Sequence, residues 1–211
     1  MSMTRRTIGC LAATLLSFAA LGVQAQAKAP EALIKEVSTD VLEAVKADKT
    51  IQAGDIRKVI ALVDQKVLPY VNFQRMTASA VGRYWKQATP DQQKRLQDEF
   101  KLLLVRTYTG ALSQVSSEQN VEVKPMRGAA TDNEVVVRTE IRGKGDPIQL
   151  DYRLEKAGTS WKIYDVNVLG VWLVENYRNS FAQEIGANGI DGLIAKMAER
   201  NKSAAAAGAK S

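Results

Sequence analysis

Apolar residues recur at helical spacing through the first half of the chain and switch to alternation in the second. From Glu31 to Lys46, Leu33, Ile34, Val37, Val41, Leu42 and Val45 share one face between lysines and acids, which predicts an amphipathic helix. After the polar break at Lys49–Gly54, Asp55 is placed to cap a second helix. Its face is Ile56, Val59, Ile60, Val63 and Val67, and Pro69 stops it. Asn72 caps a short helix through Met76 and Val81, closed by Gly82. Thr89-Pro90-Asp91-Gln92 reads as a capping box with proline at the first helical position. The helix it opens carries Leu96, Phe100, Leu103, Leu104, Tyr108 and Leu112 on one side and is expected to reach about Val115.

From Asn120 the period becomes two. Val121 and Val123 alternate with charges, Val135 to Ile141 is a longer strand, and Gly143-Lys144-Gly145-Asp146 is a hairpin turn. Ile148, Leu150, Tyr152 and Leu154 alternate with Gln149, Asp151, Arg153 and Glu155, a strand with one wet face. Trp161, Ile163, Tyr164, Val166 and Val168 form a further strand. After Gly170, the residues Val171, Trp172, Leu173, Val174, Tyr177 and Phe181 fall at helical spacing. So many large apolar groups form either a deep core or the lining of a cavity. One or two helices then close the domain, interrupted at Gly186 to Gly189 and ending near Arg200. The alanine-rich residues 202–211 are expected to be a disordered tail. The pattern predicts an α+β fold: an antiparallel meander of about four strands, with N-terminal and C-terminal helices packed on one sheet face.

Composition changes this picture mainly at the N-terminus. Arg5 and Arg6 precede an apolar run from Cys10 to Val23, and Ala25-Gln26-Ala27 supplies a cleavage site. Residues 1–27 are therefore expected to be a secretory signal peptide, leaving one domain over 28–201. Cys10 stands at the start of the apolar run and not after it, so a lipoprotein anchor is not expected. Arg5-Arg6 with Thr7-Ile8-Gly9 gives a twin-arginine signal little support, so general secretion is preferred. Removing 1–27 takes two arginines and the single cysteine, leaving 27 basic against 23 acidic side chains and no thiol. Such a protein is held by its core rather than by disulfides. Its mild positive charge does not call for nucleic acid.

The chain has no histidine. That removes the Ser-His-Asp triad, the imidazole base and the histidine metal ligand. Asp98 with Glu99, and Asp132 with Glu134, read as solvated surface carboxylates, and no glycine-rich phosphate loop follows a strand. The sequence shows no catalytic equipment, and an enzyme is not expected.

Gly82-Arg83-Tyr84-Trp85-Lys86, the helix from Thr89 to Tyr108, and the stretch Trp161 to Phe181 (WKIYDVNVLGVWLVENYRNSF) resemble the MlaC family. The likeness covers nearly the whole chain after residue 27, to about Arg200. It implies an NTF2-like fold with a curved sheet. It also implies a periplasmic carrier that shuttles glycerophospholipid between outer and inner membranes and so maintains outer-membrane lipid asymmetry. The implied partners are an inner-membrane ABC transporter with an MCE-domain ring and an outer-membrane lipoprotein–porin complex. A monomer is expected, with no cofactor beyond the phospholipid cargo and no metal.

One departure stands out. The family often has serine two residues after the glycine of its Gly-Val pair, where this chain has Trp172, an indole expected to narrow or reshape the pocket. The candidate lipid-binding residues are Tyr84, Trp85, Phe100, Leu104, Tyr108, Tyr152, Val168, Val171, Trp172 and Val174, each with ordinary core packing as the competing reading. Val171→Glu is expected to impair loading, and Arg178 is expected to pair with Asp165 or approach a headgroup. Two other readings stay open at this point: a periplasmic adaptor or chaperone without lipid, and an NTF2-like enzyme using carboxylates or a tyrosine.

Overall fold

The computed structural model describes residues 28–126 and 132–208; the expected signal peptide lies outside them. Helix α1 (Pro30–Ala47) buries Leu33, Ile34, Val37, Leu42 and Val45. Asp48 caps the short α2 (Lys49–Gln52), accepting from the backbone N–H groups of Thr50 and Ile51. Asp55 caps α3 (Ile56–Lys66) through Arg57 and Lys58 in the same way. These carboxylates satisfy donors that a helix start leaves unpaired. Pro69 then forces a 3-10 turn, Leu68–Tyr70. The side chain of Asn72 caps α4 (Phe73–Val81), and Gly82, at φ 66°, ends it.

The capping box forms as the sequence predicts. Thr89 and Gln92 exchange side-chain-to-backbone bonds at the head of α5 (Pro90–Thr109), with a 3-10 stretch at Gly110–Gln114 where the helix was expected to continue.

Among the described residues the sheet has five strands in the order β1-β2-β3-β4-β5, all antiparallel: Asn120–Val123, Glu134–Arg142, Ile148–Ala157, Ser160–Val168 and Val171–Trp172. The meander matches the sequence pattern, with β5 added where a helix was expected to begin. Between β3 and β4 the register slips. Arg153 faces Asp165 but Leu154 faces Ile163, leaving Tyr164 as an extra residue. Such a bulge reverses the alternation beyond it. Trp161 and Ile163 therefore share the inner face with Val166 rather than with Asp165. The open edge of β4 is covered by Val71, bridged to Ile163, and by the backbone N–H of Asn72, 2.8 Å from the Ile163 carbonyl oxygen.

Helix α6 (Leu173–Gly208) is interrupted at Gly189, at φ 71°, ψ −179°. Its backbone stays helical to Gly208, through most of the stretch expected as a tail, and 209–211 lie outside the described residues.

Among the described residues three apolar clusters hold the fold. One packs Ile34 and Val37 of α1 against Val137, Leu154 and Trp161 of the sheet. The second joins α4, α5 and α6 around Leu96, Phe100, Phe181 and Ile194. A third lies between α1, α2 and α3, from Val45 to Leu62.

Candidate functional site: two apolar cavities with a common wall

The three clusters do not fuse, and the space between them is open. One cavity, of about 240 Å³, lies between α1 and the sheet. It is walled by Val37, Val41 and Val45 on the helix and by Ile141, Leu150, Tyr152 and Ile163 on the strands, and Leu112 and Val115 close one side. A second, of about 220 Å³, lies between α3, α4 and α5, walled by Val63, Phe73, Met76, Leu104, Val105, Tyr108 and Leu173. Val67, Val71 and Val166 belong to both walls. Valine recurs on these walls, from α1 (Val37, Val41, Val45), from the end of α3 (Val63, Val67), and at Val71 and Val166, and it fills less of the gap than leucine or phenylalanine would.

Polar groups on the walls are few. Ser38 Oγ lies 3.2 Å from the Tyr152 hydroxyl. Burial pushes the phenols of Tyr152 and Tyr108 above the usual tyrosine value, so both stay neutral. Lys101, at the rim of the second cavity, donates to Asp64 at 2.8 Å. The walls offer no acid, base or nucleophile poised for chemistry. Among the described residues no group of three or more His, Cys, Asp or Glu side chains could hold a metal ion. What this arrangement can do is enclose hydrocarbon.

Of the ten sequence candidates, Leu104, Tyr108 and Tyr152 stand on these walls. The other seven are placed elsewhere. Phe100 is fully buried in the helical core, its ring 5.1 Å from Tyr177 and 5.3 Å from Phe181. Tyr84 and Trp85 pack on the outside of that core, and Val174 is buried within it. Val168 is half-buried at the end of β4, and Val171 is exposed on β5. A glutamate at position 171 therefore does not enter a closed apolar slot, which corrects the expectation for Val171→Glu. Trp172 lies under the Arg153 guanidinium, 3.9 Å from the ring centroid, and walls neither cavity. Nor does Arg178 pair with Asp165. Its Nε donates to the carbonyl of Ser79 at 3.1 Å, while Asp165 is paired with Arg153.

Sequence reasoning missed most of the wall, including Ile141, Leu150, Phe73 and Met76, and above all its valines: Val37, Val41 and Val45 on α1, then Val63, Val67, Val71 and Val166. For the first five the signal is a four-residue spacing of short β-branched side chains, at 37, 41 and 45 and at 63 and 67. Short side chains on facing elements leave space where leucine or phenylalanine would close it.

Comparison with known proteins places the chain among relatives. The family model described as MlaC protein matches residues 35–199. The chain is 26% identical over 172 residues to the intermembrane phospholipid transport system binding protein MlaC of Haemophilus influenzae, covering 80% of each chain. It is 27% identical over 198 residues to the toluene tolerance protein ttg2D of Pseudomonas putida, covering 90% of each. The solved structure of a phospholipid-binding protein from Ralstonia solanacearum, in complex with a phospholipid, aligns with a TM-score of 0.80 at 47% identity. That alignment covers 85% of this chain and 99% of the other.

Proposed function

The chain belongs to the MlaC family, and on that premise we propose that it is a periplasmic carrier of glycerophospholipid between membranes, holding one acyl chain in each cavity. The observation that carries this reading is the pair of cavities meeting at Val67, Val71 and Val166. A lipid with two chains joined at one headgroup needs two apolar compartments that converge. The solved Ralstonia relative was captured with a phospholipid bound, which supports the same assignment.

The energetics require such a sheath. Two acyl chains contain roughly 30 methylenes, and at about 0.8 kcal/mol each their exposure to water costs on the order of 20 kcal/mol. Free diffusion between membranes is too slow against that barrier. A lining this poor in polar groups recognises hydrocarbon rather than a particular headgroup, so headgroup selectivity is weak. In this reading the cargo is delivered to and collected from an inner-membrane ABC transporter and an outer-membrane complex. No helix of the described residues is long and apolar enough to cross a membrane.

The test is native mass spectrometry of the protein purified from its expression host without detergent, followed by lipid extraction. The expected result is an adduct with the mass of a two-chain phospholipid. A mass that stays free of adduct after incubation with phospholipid vesicles overturns the reading.

A further inference from the structure

Resting on the carrier reading, we infer that the β4–β5 turn is the docking tip through which the loaded protein engages an apolar-rimmed port on a membrane-embedded protein partner. Leu169 and Val171, 65% and 48% exposed, are the large apolar side chains that stand exposed among the described residues, and both lie on this one turn. Leu169 has φ 51° and Gly170 φ 91°. Positive φ at both central residues makes a two-residue type I′ hairpin, in which Asn, Asp or Gly normally takes the first place. A bulky leucine there is an outlier that the surroundings must hold in place. They do: the N–H of Leu169 donates to the Gln149 carbonyl at 3.1 Å, and the N–H of Gly170 donates to Asn167 Oδ1 at 2.8 Å. The fold thus fixes an apolar side chain outward in a conformation that asparagine would adopt more easily.

The turn adjoins the cavity walls on three sides. Val166 of the common wall precedes it, Leu173 of the second cavity follows it, and Leu150 of the first pairs with Val168. Hydrocarbon leaving either cavity beside this turn stays dry only if the receiving surface is apolar and seated closely against it. The same end of the sheet favours a protein over a bilayer as that surface. Among the described residues the basic groups at this end are already paired, Arg142 with Glu122 and Glu140, and Lys144 with Glu118, so they form no free cationic collar for anionic headgroups. A rigid, preformed knob gains affinity from a shaped pocket, whereas a fluid bilayer makes no use of a fixed backbone.

Leu169→Asn removes the apolar group while easing the backbone, so the variant folds. Wild type and variant are loaded with a fluorescent two-chain phospholipid. Transfer is then followed to phosphatidylethanolamine–phosphatidylglycerol vesicles, either protein-free or reconstituted with the host's extracted envelope membrane proteins. The expected result is equal loading of the two proteins. The variant should then lose about tenfold in rate toward the protein-bearing vesicles alone, the scale set by deleting one apolar interface anchor. An equal loss toward protein-free vesicles assigns the turn to the bilayer and overturns the inference. So does an unchanged rate, an absence of protein-dependent transfer in wild type, or a loading defect, which would place Leu169 in the cavity. A wild-type protein that cannot be loaded at all fails the carrier reading itself.

Discussion

The guanidinium of Arg153 lies 3.9 Å from the centroid of the Trp172 ring, and its Nη1 is 3.0 Å from both Asp165 Oδ2 and Glu175 Oε1. This stack ties β3 to β5 and to the first turn of α6. It also explains why an indole two residues after Gly170 does not obstruct the cavities: Trp172 packs with the outward-facing residues of β3 and β4.

Trp172→Ser should therefore leave lipid loading intact while lowering stability. Loss of a half-buried cation–π contact costs about 1 kcal/mol. Urea denaturation should show an earlier midpoint with an unchanged slope, and native mass spectrometry should show the same adduct. A lipid-free variant would return Trp172 to the cavity.

Val166 is the position where one charge should empty both cavities. It contributes to both walls, so Val166→Glu sets a carboxylate among apolar side chains, where the lining cation Lys101 is already paired with Asp64. An unpaired buried charge is strongly disfavoured, and hydrocarbon beside it loses its dry contact. Phospholipid content should fall at least about tenfold, equivalent to ~1.4 kcal/mol. Far-UV circular dichroism checks that the variant is folded, and normal lipid content in a folded variant would remove the common wall from the proposal.

Much of the fold was legible in the sequence because its signals are local. The Thr89 capping box, the Asn72 and Asp55 caps and the alternation from Ile148 to Leu154 each specify a backbone conformation within a few residues. The site was not legible in that way. Large aromatics such as Phe100 drew attention as pocket residues, but ring area favours a closed core, and Phe100 lies at its centre. The walls are rich in valines whose significance depends on what faces them. The bulge at Tyr164 puts Val166 on the inner face, and its one mark in the sequence is a shift of phase, apolar at 161 and 163 and then at 166 and 168. Val171 and Trp172 fit a helical period. A turn at Leu169–Gly170 pairs them with β4 instead, and Gly170 was its only local cue.

Gly189 should tolerate no side chain, for a backbone reason alone. A Cβ built there meets nothing within 4 Å, so space is not the constraint. Its φ of 71° with ψ of −179° is a region that essentially only glycine occupies. Gly189→Ala should cost about 1–3 kcal/mol, read as a lowered denaturation midpoint. No loss would mean that α6 can run straight through this residue.

Asp165 should make its own contribution to stability run against the usual acid dependence. Its side chain is 1% exposed, and burial raises its pKa above the ordinary 3.8. The N–H groups of Val174 and Val166, and Arg153, pull the other way without cancelling that cost. Because the folded pKa lies above the unfolded one, the native state holds the proton more tightly. As pH rises from 3.8 through the folded value, the native chain must ionise a buried carboxyl, and stability falls across that window. Asp165→Asn mimics the protonated form and removes this fall. Chemical denaturation at a series of pH values should therefore show the stability difference moving in the variant's favour as pH rises through the window. Movement in the opposite direction would mean that Arg153 and the two amides outweigh burial, and that Asp165 serves the fold as a stabilised carboxylate.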